Sequence, residues 1–530
     1  MHNPAIQKDT AADACLRQWH AVLPKGRILS NISHYHENCL GLARGIITVI
    51  QPENEAEIIA IVKIANHHRV PLYTISTGHN WGYGTSLPVV DDCAILDLSR
   101  MKRIIDFDTE LGLATLEPGV TQKQLSDYLA TNHLDFYVPT VGAGPTVSIV
   151  GNTLEHGFGM TPEEDHFHAV TSVRAVLADG TIYQSCFTEA GAPLAGVWKW
   201  GIGPYLDGLF GQGNIGIVTS MQISLVQRYE HVEAYLFPAK TNVGPEGLLH
   251  ACKTLLADMR GTVGNIKLFN RKQIESTLGT TRIGLGIIDD YEWIGVGVFH
   301  CRKSMIRSIR KEIRRVFKCA ASRLVFINNR RNALLENILR WVPGKTRTLL
   351  ARDIQFCEAI MNIMNGIPHE LELRLVYKYV TMSNILPVDP IRDGVGIIWY
   401  APVLPMKPAL IQGMITMITE VLRKHGFPET VSVTTIHEKC AIGVIPIIYK
   451  RPEGAARAHR CFQELWERGN VLGCPPYRMN IEAMPRLIRQ PGSIYWNSVA
   501  KIKAALDPNH ILSPGRYCPE PGERIAARYR

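Results

Sequence analysis

The stretch Ser76-Thr77-Gly78-His79-Asn80-Trp81-Gly82-Tyr83-Gly84 follows a strand-like run, residues 70–75, and is the segment that best predicts the fold. Its three glycines allow backbone conformations with positive φ and a close approach to a ligand. Successive N–H groups of such a loop can converge on an anion. We therefore predict that this loop, the cradle loop, holds a pyrophosphate and that His79 is its reactive member.

The composition predicts a large globular protein. With 530 residues, 46% of them hydrophobic and 20% charged, the chain is long enough for two domains. The net charge of +9 could attract an acidic partner, an anionic cofactor or nucleic acid. The densest basic segment, residues 302–315, has the spacing of a solvated helix face, so nucleic-acid binding is not predicted.

Targeting and cysteine signals favour a cytoplasmic protein. The twelve cysteines are scattered singly, with no CxxC pair and no haem-attachment motif. Charged residues interrupt the N-terminal region where a secretory signal would be apolar. No apolar run has the roughly 18 to 20 residues of a spanning helix, so no membrane association is expected.

Periodicity predicts an α+β fold in the first half of the chain. Residues 53–68 have helical spacing, 93–98 and 113–117 are strand-like, and 121–132 form a helix capped by Thr121. A hairpin is predicted over 171–184, around Asp179-Gly180. From about Val232, helical segments (245–259, 305–316, 408–425) alternate with strand-like ones (293–299, 373–380, 396–400), which indicates a second domain.

Glycine patterns need a structural context before they imply a ligand. The region 139–160 is dense in glycine, which favours backbone packed against a flat ligand, although ordinary turns remain an alternative. Residues 211–216 match GxGxxG, but the strand-like segment 217–225 follows where a helix should open, so a Rossmann site is rejected. The motifs of serine hydrolases, P-loop NTPases and zincins are absent from the sequence.

Six motifs occur in an order that identifies a family. They are ISTGHNWGYG (75–84), LEPGV (116–120), PTVGAGPTVSIVGNTLEHGFGMTP (139–162), KWGIGPYLDGLFGQGNIGIVT (199–219), PPYRMN (475–480) and LDPNHILSPGR (506–516). Together they resemble the vanillyl-alcohol oxidase and p-cresol methylhydroxylase group of FAD-dependent enzymes, over nearly the whole chain.

The resemblance implies a two-domain FAD enzyme. It implies an N-terminal segment (1–44), a PCMH-type FAD-binding domain of two subdomains (45–228), a cap domain with an antiparallel sheet flanked by helices (229–490), and a C-terminal segment returning to the FAD domain (491–530). The implied FAD-binding residues are Ser76, Thr77, Gly78, His79, Asn80, Pro118, Gly119, Gly142, Gly151, Asn152, Gly159, Ile217 and Arg516.

The resemblance also implies a phenol site. Tyr83, Tyr477 and Arg478 match the family residues that bind a phenol oxygen. Two hydroxyl donors and a guanidinium stabilise a phenolate and direct electron density to the para carbon. Hydride would then leave the benzylic carbon of a 4-alkylphenol or 4-hydroxybenzyl alcohol for flavin N5, which gives a quinone methide. Oxidation of another alcohol, an amine or a natural-product intermediate is the alternative.

Two positions depart from the family pattern. The oxidase branch has a VPD segment with an aspartate near flavin N5, whereas this chain has Val138-Pro139-Thr140, and a threonine cannot act as that acid or base. The cap segment 396–402, with Asp389 and Pro390 upstream, contains neither the histidine nor the tyrosine that tethers flavin in relatives.

His79 is the predicted tether instead. It falls where the berberine-bridge and 6-hydroxynicotine oxidase branches have the histidine bonded to the flavin 8α-methyl. A single 8α-histidyl link is therefore expected, because Val138 occupies the place of the second, cysteine tether. The alternative is that His79 only donates a hydrogen bond to phosphate.

The sequence says less about the electron acceptor, the oligomeric state and bound metals. The electron acceptor would be O2 or a separate cytochrome c, and a homodimer is left open. His34 with His36, and His166 with His168, have the i, i+2 spacing of one strand face, but further ligands at defined spacing are missing, so no metal is predicted.

Overall fold

The computed structural model describes residues 10–191, 193–240, 242–278, 291–329, 344–383, 385–488 and 492–519. Its N-terminal elements are α1 (Ala11–Val22), α2 (Ser33–His36), β1 (Ile46–Ile50), α3 (Glu55–His68), β2 (Leu72–Ile75), β3 (Cys93–Asp97), β4 (Ile104–Asp108), β5 (Leu113–Leu116), α4 (Gln122–Thr131), α5 (Ile149–Leu154), β6 (Val170–Leu177), β7 (Ile182–Gln184), α6 (Cys186–Glu189) and β8 (Gly216–Ser224).

The remaining elements form the second half of the chain. They are β9 (His231–Pro238), α7 (Gly244–Asp258), β10 (Val263–Asn270), α8 (Arg271–Leu278), β11 (Trp293–Cys301), α9 (Ile306–Phe317), β12 (Val325–Ile327), α10 (Gly344–Met364), α11 (Leu371–Arg374), β13 (Val395–Tyr400), β14 (Val403–Pro405), α12 (Pro408–Lys424), β15 (Ser432–His437), β16 (Cys440–Lys450), α13 (Ala455–Val471), α14 (Met484–Ile488) and α15 (Ile494–Leu506).

Two sheets carry the first half of the chain. A parallel sheet has the order β1-β3-β2, and its strands are almost entirely buried. An antiparallel sheet has the order β4-β5-β8-β6-β7. The cradle loop leaves the end of β2, so it lies at the carboxyl edge of the parallel sheet.

The second half is built on one antiparallel sheet. Its order is β12-β9-β11-β10-β15-β16-β13, and β14 pairs with β16. Helices α7, α12 and α13 pack together on one face, where Leu255, Ile418 and Leu465 join Phe237 and Ile447 in the core. The helices therefore bury one face of the cap sheet and leave the other for the cavity described below.

The C-terminal segment packs against the parallel sheet. Leu72 of β2 makes two backbone hydrogen bonds to this segment. The Leu72 N–H donates to Ile511 O at 2.7 Å, and the Ser513 N–H donates to Leu72 O at 2.7 Å. The buried Lys503 ammonium donates to Asp507 Oδ2 at 2.6 Å. The boundaries at 44/45, 228/229 and 490/491 stay predictions.

The α+β architecture is confirmed, including the antiparallel cap sheet, the 171–184 hairpin and the strand after the GxGxxG match. Residues 373–380 were predicted as a strand, which is wrong: α11 is followed by a 3-10 turn at Leu375–Tyr377. Leu373 and Val376 are both buried, and their i, i+3 spacing places them on one helical face. His34 and His36 lie in the short helix α2, and not on a strand.

The predicted cap of α4 supplies a stability test. Thr121 Oγ1 accepts a hydrogen bond from Gln124 N at 3.2 Å. We expect Thr121→Ala to lower the free energy of unfolding by about 1 kcal/mol, because an N–H of the first turn loses its partner. Thr131→Ala, at the exposed last residue of the same helix, is the control for denaturant titrations. Equal stabilities of the two variants would contradict the capping role.

Candidate functional site

A cavity of about 470 Å³ lies between the cradle loop and the free face of the cap sheet. This volume is within the range of small-molecule sites, about 300–1,000 Å³. Most of the predicted site residues line it. They are Ser76, Thr77, Gly78, His79, Asn80, Tyr83, Pro118, Gly142, Gly151, Asn152, Ile217, Tyr477, Arg478 and Arg516.

Two predicted cofactor residues lie behind the cavity wall. A Cβ on Gly119 would sit 2.7 Å from both Met101 O and Ser99 O, and one on Gly159 would sit 2.5 Å from Thr140 O. Neither glycine lines the cavity. Close packing of neighbouring backbone explains why both positions are glycine.

The cradle loop has the conformation that its glycines predict. Gly78, Gly82 and Gly84 have φ values of +70°, +78° and +136°. Within the described part of the chain, the N–H groups of residues 76–80 donate to no protein acceptor. A run of available N–H donors beside a cavity is chemically suited to a pyrophosphate, so these residues fit FAD.

His79 is oriented by the neighbouring glycine-rich segment. Its Nδ1 lies 3.2 Å from Thr146 O and 3.1 Å from Thr146 Oγ1, and its ring stacks on Trp81 with centroids 4.8 Å apart. Nδ1 is then the protonated nitrogen, which leaves Nε2 with a lone pair. Burial lowers the pKa of His79 below its ordinary value. The imidazole is therefore held neutral, the form that can act as a nucleophile.

The structure brings the three predicted phenol-site residues together. The Arg478 guanidinium lies over the Tyr83 ring, with its Cζ 4.4 Å from the ring centroid, and the side chains of Tyr83, Tyr477 and Arg478 all line the cavity. Burial raises the pKa of Tyr83 far above its usual value, and burial also raises that of Tyr477. Both hydroxyls therefore stay protonated at neutral pH and can donate hydrogen bonds.

Glu155 is a cavity residue that the sequence analysis missed. Its carboxylate pairs with Arg478, Nε to Oε2 at 3.2 Å, and with Arg516. Only 6% of the Glu155 side chain is exposed, so its charge is compensated by these two cations. Its position inside the motif GNTLEHG, three residues after Asn152, was the signal available. Arg478 also donates to Asn80 Oδ1, which connects the cradle loop to the PPYRMN motif.

The structure shows which residues surround the two positions that depart from the family pattern. The Thr140 hydroxyl donates to Ile363 O at 3.2 Å and does not line the cavity. In the cap, Trp399 lines the cavity and packs against the cradle loop, where a Cβ on Gly82 would meet its indole ring. The described cap residues 395–402 contain no histidine, and Tyr400 is fully buried in the core.

The remaining histidines have other roles. His166 is buried, and its Nδ1 lies 2.8 Å from Asn152 Oδ1, whereas the exposed His168 pairs with Glu163 at 3.0 Å. Over the described ranges, no group of three or more His, Cys, Asp or Glu side chains is arranged to hold a metal. No described helix is long and apolar enough to cross a membrane.

The chain is an FAD-binding oxidoreductase. Its cradle loop follows the parallel sheet, the antiparallel sheet β4-β5-β8-β6-β7 completes the first half of the chain, and the cap sheet lies over the shared cavity. The family model of an FAD binding domain matches residues 47–185. The chain is 32% identical to 1'-carboxy-chondrochloren decarboxylase of Chondromyces crocatus, over 89% of this chain and 90% of the relative. It is 30% identical to the flavoprotein subunit of 4-cresol dehydrogenase (hydroxylating) of Pseudomonas putida, over 97% and 95%.

Solved structures agree with these relatives. Substrate-bound p-cresol methylhydroxylase superposes with a TM-score of 0.82 at 25% identity, over 96% of this chain and 97% of the other. The 4-ethylphenol oxidase from Gulosibacter chungangensis, 21% identical, shows the same fold with a TM-score of 0.84, over 97% and 98%. The chain belongs to the p-cresol methylhydroxylase group of FAD-linked oxidoreductases.

Proposed function

We propose that this enzyme oxidises a para-substituted phenol, a 4-alkylphenol or 4-hydroxybenzyl alcohol, at its benzylic carbon through a quinone methide. The observation that supports this most strongly is the cluster of Tyr83, Tyr477 and Arg478 on the wall of the cavity that also contains the cradle loop. Bound FAD supplies the hydride acceptor.

The protein's own residues would bind and ionise the phenol. The two protonated tyrosines donate hydrogen bonds to the phenol oxygen, and the Arg478 charge favours its anionic form. The Glu155 carboxylate holds the guanidinium in place by an ion pair, with Oε2 3.2 Å from Nε. We propose that Thr140 takes no part in proton transfer, because its hydroxyl donates a hydrogen bond to the backbone carbonyl of Ile363.

We propose that the cradle loop would hold FAD and that His79 would be its covalent tether, with Nε2 as the nucleophile toward the flavin 8α-methyl group. The neutral ring and the engaged Nδ1 support this atom as the nucleophile. Electrons would leave to O2 or to a separate cytochrome c, and turnover with each acceptor alone distinguishes the two.

The phenol site is tested by removing one hydroxyl. We expect Tyr477→Phe to slow anaerobic flavin reduction by 4-ethylphenol about 10²-fold, since one donor to the developing phenolate is lost. Stopped-flow absorbance of the flavin measures the rate. Tyr379→Phe, at the exposed edge of the same cavity, is the matched control. A Tyr477→Phe rate equal to wild type would remove the phenol site from the proposal.

Oxidation with loss of CO2 is a second candidate, favoured by the similarity to a decarboxylase over nine-tenths of both chains. In this reaction, hydride would leave the benzylic carbon of a carboxyethyl phenol, and the adjacent C–CO2 bond would break to give a vinylphenol. Measuring CO2 released per flavin reduced by 3-(4-hydroxyphenyl)propanoate decides between the candidates: a ratio of one supports decarboxylation, and zero supports simple oxidation.

A further inference from the structure

Helix α5 connects the two ends of the candidate site. At its start, the Ser148 N–H donates to Thr77 Oγ1 of the cradle loop at 3.2 Å. At its end, Glu155 pairs with Arg478 of the phenol cluster. Ser148, Asn152 and Glu155 follow one another at i, i+4 and i+7, the spacing of one helical face, and all three line the cavity. Asn152 therefore lies between the pyrophosphate cradle and the place where hydride transfer would occur.

The side-chain amide of Asn152 is held from behind the cavity wall by His166. The two side chains meet through His166 Nδ1 and Asn152 Oδ1, which are 2.8 Å apart. His166 is only 2% exposed and does not line the cavity, and its backbone N–H donates to Gly157 O at 3.1 Å. Gly157 leaves the space that the amide occupies, because a Cβ on this residue would overlap the amide. The imidazole thus has a fixed position relative to Asn152.

Hydrogen-bonding capacity decides which way the amide points. His166 Nε2 is buried and has no partner among the described residues. A hydrogen on Nε2 would be a buried donor without an acceptor, and such N–H groups are rare in native structures. Nδ1 therefore carries the hydrogen and donates to Asn152 Oδ1. Burial lowers the pKa of His166 to about 4, so the ring is neutral at pH 7 and only one of its nitrogens can donate.

The second polar atom of the amide is available to a ligand. Asn152 Nδ2 donates to no acceptor in the part of the chain that the structure describes. Since Oδ1 accepts from a group behind the wall, Nδ2 is the atom that the cavity-lining amide offers to the cofactor. Hydrogen bonds to the flavin ring are one means by which a protein tunes its redox chemistry. A donor aimed at the ring stabilises the additional negative charge of reduced flavin more than the oxidised form.

We propose that His166 is a positioning residue for the flavin: by holding Asn152 Oδ1, it directs Nδ2 to donate a hydrogen bond to the isoalloxazine ring, which favours the reduced flavin. The placement of the ring beside Asn152 rests on the proposed function, since the hydride acceptor must approach the Tyr83–Tyr477–Arg478 cluster. In this arrangement Asn152 contacts the cofactor, whereas His166 acts only through Asn152.

The test is the midpoint potential of the flavin in the FAD-loaded enzyme, measured without substrate by titration against a redox dye. We expect Asn152→Ala and His166→Phe each to lower the preference for reduced over oxidised flavin about tenfold, which is about 30 mV for a two-electron couple. His166→Asn keeps an N–H donor near the Nδ1 position, so it should return the potential toward wild type although it fills less space. The double variant Asn152→Ala/His166→Phe should fall no further than either single variant, because both changes act through one hydrogen bond.

His168→Phe is the matched control, because His168 is exposed, pairs with Glu163 and should leave the potential unchanged. His166→Leu is a second variant without the donor and should reproduce the fall of His166→Phe. FAD content, measured from absorbance, confirms that each variant is loaded. A wild-type potential in Asn152→Ala or in either donor-less variant of His166, or an additive fall in the double variant, would overturn the inference.

The reaction with 4-ethylphenol separates this result from the proposed function. If 4-ethylphenol leaves the wild-type flavin oxidised but the potentials follow the expected pattern, the phenol oxidation has failed and the positioning role stands. If 4-ethylphenol reduces the flavin and Asn152→Ala has the wild-type potential, the proposed oxidation stands and only the positioning role is lost.

Discussion

Replacing Arg478 by alanine is expected to lower kcat/KM for a 4-alkylphenol by about 10³-fold or more, because the substrate phenolate then loses its one cationic partner in the Tyr83–Tyr477–Arg478 cluster. The side chain is only 11% exposed, so solvent would compensate this loss poorly. Steady-state kinetics with 4-ethylphenol measures the change, and a pH profile shows whether the ionised phenol has become the required form.

The control must account for Glu155. Removing Arg478 leaves Glu155 paired with Arg516 alone, so part of the effect could come from a displaced carboxylate. Arg478→Lys keeps the charge and should recover part of the activity, although it loses the planar contact over the Tyr83 ring. FAD content of each variant, measured from absorbance, separates lost cofactor from lost chemistry. Undiminished activity in a fully loaded Arg478→Ala enzyme would contradict the phenolate role.

Replacing His79 by alanine is expected to convert covalently bound flavin to releasable flavin completely. Acid precipitation of wild type should leave the flavin in the protein pellet, whereas the variant should release it to the supernatant. The reason is that cap residues 395–402, the segment that corresponds to the tether region of relatives, contain no histidine, and their one tyrosine, Tyr400, is buried in the core. Noncovalent binding should persist, because the free N–H groups of residues 76–80 remain.

His36→Ala is the matched control, since His36 is exposed in the short helix α2 away from the cavity lining. Fluorescence of the denatured protein band gives a second readout of the same bond. Release of the flavin from acid-treated wild type would refute the tether and leave His79 with only a phosphate-binding role.

Local features were predictable from the sequence because their causes are local. The positive φ values at Gly78, Gly82 and Gly84, the Thr121 cap and the 171–184 hairpin depend on residues a few positions apart. The wrong strand prediction at 373–380 overlooked such a local cue, because the i, i+3 spacing of the buried Leu373 and Val376 fits one helical face and would put them on opposite faces of a strand.

Contacts between distant segments could not be predicted in the same way. Arg478 donates to Asn80, 398 residues away in the chain. Glu155 lies in the motif GNTLEHG, but only the tertiary structure places its carboxylate on the cavity wall, between Arg478 and Arg516. The placement of Gly119 and Gly159 behind that wall also depends on the packing of other backbone segments.

The sequence by itself determined the cofactor class and the cradle loop, because glycine placement and motif order are written in short segments. The tertiary structure decided which charges meet, because it brings Glu155 to Arg478 and Arg516. The strength of an ion pair depends on the distance between the charges and on how far water is excluded. Both conditions are set only when the folded chain brings the cap sheet over the cradle loop.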